Sequence, residues 1–154
     1  WWGLIGGTYV GHSETFAPDR DPDFSWLGQG GVLKGTSAPR LAFLRRIMEE
    51  GPAPGIDPIE HWWDYHIGGQ PHAYYLKYFG SAQPTGWRVT LPGRDKDPKH
   101  SFRIDILDTW NMTVTPVPGV FRMQQLNQYD VHDPARPEIA LPGTPWIALR
   151  IVKV

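Results

Sequence analysis

Cysteine is absent from the 154 residues, which excludes disulfides, thiol nucleophiles and thiolate metal sites. A cysteine-free chain is at home in either redox compartment, so the compartment stays undefined. Charge of one sign is lacking too. Fifteen Lys and Arg against sixteen Asp and Glu leave a net charge of -1, too weak a field to hold a polyanion such as nucleic acid. No apolar run approaches the roughly 20 residues that a membrane-spanning helix needs. No basic segment ahead of an apolar stretch marks a signal peptide. Trp1-Trp2-Gly3 reads as a cut, so the native polypeptide is expected to extend upstream.

Metal-ligand spacing is missing as well. His12, His61, His66, His72, His100 and His132 contain no i, i+4 pair around a glutamate, and neither a metal nor a cofactor is expected. Residues 30–36, GGVLKGT, imitate a phosphate loop without the lysine after the second glycine and read as a glycine-rich turn. Ser13 lies in GHSET, where Thr15 replaces the second glycine of a nucleophile elbow.

What is abundant is aromatic and turn-forming. Eight Trp, 17 Gly and 16 Pro suit aromatic-rich strands joined by many turns, as in a sandwich or barrel. The clearest strand is Phe102 to Asp108, where Phe102, Ile104 and Ile106 alternate with Arg103 and Asp105. Met112 to Val117, rich in β-branched residues, forms its hairpin partner. Asp108-Thr109-Trp110-Asn111 connects the two, with Asn111 suited to a left-handed backbone. Further strands are expected at Tyr74–Phe79, Gly86–Leu91, Arg122–Leu126 and Trp146–Val154, with residues 128–137 as an inserted loop. About six strands in about 95 residues is the size of a β-sandwich.

Upstream, Leu4 to Val10 is expected as a short strand delivering His12 to Thr15 at its end, followed by a loop over 17–36. The spacing predicts one helix over 37–50, capped by Ser37, with Leu41, Leu44, Ile47 and Met48 on one stripe and Phe43 beside it. Arg40, Arg45 and Arg46 with Glu49 and Glu50 form its solvated face. Such a stripe must be buried against the later residues or against a part outside this chain. The segment GPAPGIDPIE is expected to be stiff and extended, unable to join a sheet, and to mark a domain boundary.

Candidate chemistry is sparse. Glycoside hydrolysis needs two carboxylates flanking a bond, and only Glu14 stands in a stretch resembling an active-site rim. His61-Trp62-Trp63-Asp64-Tyr65-His66 and Tyr74 to Phe79 concentrate aromatics, with rings on both faces of the second block. Packing between two units explains them most simply; stacking on sugars is the alternative, with Trp62, Trp63, Trp87 or Trp110 as platform.

Five segments carry a resemblance: GGTYVGHSETF, GGVLKGTSAPRLAFLRRIMEEGP, YYLKYFGSAQPTGWRVTLPG, FRIDILDTWNMTVTPVPGVF and ALPGTPWIALRIVKV. In order and spacing they resemble the carboxyl-terminal part of a bacterial glycoside hydrolase-like family. Its members carry a (β/α)8 barrel with an appended β-sandwich of the DUF5605 kind, a domain of unknown function. The resemblance implies a mainly β chain: an antiparallel β-sandwich preceded by a terminal strand and helix of an incomplete barrel. Residues 1–52 would be that barrel unit, with Thr8 to Val10 as its eighth strand, 53–60 a linker and 61–154 the sandwich. His12 and Glu14 would support the sugar-binding rim, while the catalytic carboxylates would lie on earlier strands. The implied partners are a carbohydrate and the remaining barrel, and the chain alone would be inactive; Trp62, Trp63 and Trp110 are the candidate sugar-binding residues. The alternatives are a carbohydrate-binding module and a purely structural interaction domain.

Overall fold

The computed structural model describes residues 1–11, 16–17, 32–33, 35–59, 66–93 and 100–154. The chain is mainly β, with antiparallel sheets and two helices among the described residues. Two strands dominate, β8 (Ser101–Asp108) and β14 (Ile147–Lys153), the longest alternating apolar runs. They pair along seven residues, Leu149 opposite Ile106 and Ile151 opposite Ile104. β5 (Tyr74–Tyr78) flanks β14 on its other side, and β4 (Ile67–Gln70) flanks β5. The free edge of β8 is shared by β9 (Thr113–Pro116) along its second half and β10 (Phe121–Arg122) at its start.

Both faces of this sheet are covered. On one face Tyr75, Phe102, Ile104, Leu149 and Ile151 share a core with Leu91 of β7 (Thr90–Pro92), Val131 of β12 (Asp130–His132) and Ile139 of β13 (Glu138–Ala140). β7 and β12 belong to a three-stranded sheet with β11 (Gln124–Gln125), and β13 pairs with β6 (Gly86–Arg88). On the other face Tyr74, Leu76, Tyr78, Leu107 and Ala148 meet Ile5 of α1 (Trp2–Ile5) and Phe43 and Ile47 of α2 (Ala38–Glu49). β5 is therefore buried at all five positions, and the doubled aromatics of its sequence serve two cores. Ile47 is fully buried, and truncating such a side chain to alanine costs about 2–5 kcal/mol.

The helix over 37–50 is present as α2 with a narrower stripe: Phe43, Leu44 and Ile47 are buried, while Leu41 is exposed. Ser37 stands at the N-cap position without a side-chain cap bond, and Pro39 occupies the first turn, where its missing N–H costs nothing.

Four expectations need correction. The strand expected over Leu4–Val10 is replaced by α1 at its start. Gly7 takes φ 74, and the chain folds back so that the N–H and hydroxyl of Thr8 both donate to Gly3 O at 2.8 Å. Glycines that look like strand interruptions thus serve a helix end. The proline-rich segment does reach the sheet: Asp57–Pro58 (β3) pairs with Gly69 and Gly68 at its outer edge, where a proline removes no donor that the ladder needs. Residues 128–137 contain β12. The buried Asp133 accepts the backbone N–H groups of Arg122, Ala135 and Arg136 at 2.8–3.1 Å, so acidic residues that read as loop are interior amide acceptors. Finally, Met112 and not Asn111 is left-handed, with φ 61, because the Asn111 side chain is engaged with Asp108. Two further two-residue strands, β1 (Phe16–Ala17) and β2 (Val32–Leu33), pair with each other.

Candidate functional site: an aromatic cleft between helix and hairpin

The β8–β9 turn is shaped by Asp108. Its Oδ1 accepts the N–H groups of Trp110 and Asn111 at 3.0 and 2.8 Å, and Oδ2 accepts Asn111 Nδ2 at 2.8 Å. This side-chain-closed turn projects Trp110, 53% exposed. Trp146, 36% exposed, stacks beside it with ring centroids 6.4 Å apart and planes at 29°.

Trp146 sits at φ 66, a conformation that bulky residues avoid. Three hydrogen bonds hold it there. Its N–H donates to Gly80 O at 2.7 Å, while its carbonyl accepts the Thr109 N–H at 3.0 Å and the Thr109 hydroxyl at 2.7 Å. Opposite the hairpin, Arg40 from the first turn of α2 lays its guanidinium 3.8 Å from the Trp110 ring centre. Arg40 Nε donates to Trp110 O at 3.1 Å and Nη1 to Thr36 O at 2.9 Å. The resulting cleft, about 240 Å³, is bordered by Trp1, Leu44, Tyr78 and Thr109 beside Arg40 and the two indoles. Trp1 stacks on Tyr78 with centroids 5.9 Å apart, and burial pushes the Tyr78 hydroxyl pKa upward.

A second polar cluster lies at the other end of α2. Arg150 Nη2 and Nε hold Asp105 Oδ2 at 2.9 and 3.0 Å, and Nη1 holds Glu50 Oε2 at 2.5 Å. The Arg150 guanidinium thus bridges both carboxylates and tethers the end of the helix to the sheet. The Tyr74 hydroxyl, buried without a hydrogen-bond partner among the described residues, has its pKa raised to about 12, chiefly by desolvation. Among the described residues no group of three or more His, Asp or Glu could hold a metal, and no helix is long and apolar enough to cross a membrane.

Of the residues singled out from sequence, His12, Glu14, Trp62 and Trp63 lie outside the described residues. Trp110 borders the cleft, whereas Trp87 is half-buried against the first core. Sequence reasoning missed Trp146 and misplaced Arg40 on the solvated face. A signal existed: Arg45 and Arg46 each have a glutamate four residues on, whereas Arg40 has Leu44 there.

Residues 63–152 match the family described as a domain of unknown function, DUF5605. The chain belongs to the DUF5605 family. A solved structure described as a "putative glycoside hydrolase" from Bacteroides vulgatus ATCC 8482 is also similar to this DUF5605 chain, with 34% identity and a TM-score of 0.83. The match covers 99% of the DUF5605 chain described here and 30% of the Bacteroides protein, so this chain spans under a third of that protein's length. No curated protein matches.

Proposed function

We propose that this chain is the carboxyl-terminal segment of a glycoside hydrolase, in which a β-sandwich packs on and stabilises a (β/α)8 catalytic barrel. The observation that carries the reading is the 34% identity, over 99% of the chain, to the Bacteroides vulgatus protein. Residues 1–52 act as the terminal barrel unit, 53–60 as the link and 61–154 as the sandwich, its second layer being the smaller sheets over the first core.

The exposed apolar groups of the amino-terminal region support this arrangement. Trp2, Tyr9 and Val10 are exposed large apolar residues, as expected where neighbouring barrel units continue the structure. His12 and Glu14 support the sugar-binding rim, and the carboxylate pair that performs hydrolysis comes from earlier strands.

The test is an assay of the 154-residue chain on aryl glycosides and plant oligosaccharides. No turnover is expected. Turnover that Glu14→Gln abolishes overturns the assignment, because the chain would then contain the hydrolytic centre.

A further inference from the structure

We propose that the cleft between α2 and the β8–β9 hairpin binds an acidic pyranose, a uronic acid unit of a glycan, with Trp146 as stacking face and Arg40 as carboxylate partner. The choice of a sugar rests on the glycoside hydrolase reading above; the choice of an acidic one rests on charge.

Arg40 differs from its neighbours on α2. Arg45 pairs with Glu49 at 2.6 Å, and Arg46 lies 3.8 Å from Glu50. Arg40 has no carboxylate partner among the described residues; two carbonyls and an indole face immobilise it instead. Its Nε and Nη1 are occupied, and Nη2 makes no hydrogen bond among the described residues. An immobilised guanidinium with a remaining donor is preorganised for an anion and loses little entropy on binding one.

Trp146 supplies the second, independent observation. Its left-handed backbone is fixed by three hydrogen bonds, and the outcome of that strain is a partly exposed indole on the cleft wall. Since Arg40 already covers a face of Trp110, Trp146 is the indole left to stack on the C–H face of a sugar ring. The cleft, about 240 Å³, is smaller than the roughly 300–1,000 Å³ typical of drug-sized ligands, which suits one ring of a chain and not an extended oligosaccharide.

The experiment titrates the 154-residue chain with trigalacturonate, its methyl ester and a neutral trisaccharide, following the indole N–H signals by two-dimensional NMR. The acid should bind about tenfold more tightly than the ester, the difference made by one charge-assisted contact. Arg40→Gln should bring the acid down to the ester's affinity, and Trp146→Ala should weaken both. Equal affinities for acid and ester in the unmodified chain overturn the proposal without relying on any variant. So does an acid preference that survives Arg40→Gln. Unshifted indole signals at millimolar sugar would make the cleft a contact surface for protein, which also overturns it. Binding is read without turnover, so failure here leaves the hydrolase reading intact, and turnover in the assay above leaves this one intact.

Discussion

Replacing Arg150 with leucine should be among the most damaging single changes to this protein, more than its position near the surface suggests. The Arg150 side chain is 16% exposed and Asp105 20% exposed, so the pair is largely withdrawn from water; Glu50, at 45%, rehydrates when released. Removing one partner of a buried pair costs about 3–5 kcal/mol, and partial exposure brings the expectation here to about 2–3 kcal/mol. Most of that loss is the desolvation of an Asp105 carboxylate left without its two hydrogen bonds. Arg150→Leu with Asp105→Asn should therefore recover at least half of the lost stability, a coupling readable in a double-mutant cycle by urea denaturation. A loss below 0.5 kcal/mol in the single variant, or simple additivity in the double one, would refute the argument that Arg150 holds α2 to the sheet by neutralising an interior acid.

Tyr74→Phe removes a hydroxyl that is buried without a partner among the described residues, so stability at pH 7 should be unchanged or higher by about 1 kcal/mol, measured by thermal melting. The same variant tests the alkaline limb. An unfolded tyrosine releases its proton near pH 10 whereas Tyr74 holds it to about 12, so its contribution is complete below pH 10 and is lost as pH rises toward 12. Tyr74→Phe should flatten that decline, leaving the smaller part due to Tyr75 and Tyr78, whose pKa values burial also raises. Ile47→Ala should cost about 2–5 kcal/mol by denaturant titration, and a value under 1 would mean that α2 is not packed as described. Gly80→Ala places a methyl 2.5 Å from the Trp2 ring at a residue with φ 61, and a loss of about 1–3 kcal/mol with changed tryptophan fluorescence is expected.

The legible parts of the fold were those where one face is apolar and the chain is long enough to repeat. β8 and β14 alternate over seven or eight residues, and α2 carries its stripe through three turns, so period alone located all three. Short elements escaped for separate reasons. β4 reads Ile-Gly-Gly-Gln because Gly68 lies against the Ile5 backbone and Gly69 takes φ 153 against Tyr74, leaving no room for β-branched side chains. β12 is bracketed by Asp130 and Asp133, which look like surface residues until the Asn127 side-chain amide on one buried carboxylate and the backbone N–H groups on the other are seen. The cleft was half legible: Trp110 stands out as a large aromatic in a polar turn, but its partners Arg40 and Trp146 lie 70 and 36 residues away, brought in by two different elements.

The packing also bears on where this fold ends. The DUF5605 match begins at residue 63, yet the face of the sheet carrying Tyr74, Leu76, Tyr78, Leu107 and Ala148 is covered by Ile5, Phe43 and Ile47, all upstream of that boundary. At roughly 25 cal/mol for each Å² of apolar surface, uncovering several large side chains removes a substantial fraction of a stability that totals only about 5–15 kcal/mol in an ordinary domain. β5, buried on both faces, would become half-wetted along its whole length. The second core therefore extends what must be kept dry beyond the matched residues 63–152. The same logic places the aromatic cleft: it opens where that covering layer ends and the β8–β9 turn begins, so ligand binding there would draw on both halves of the chain.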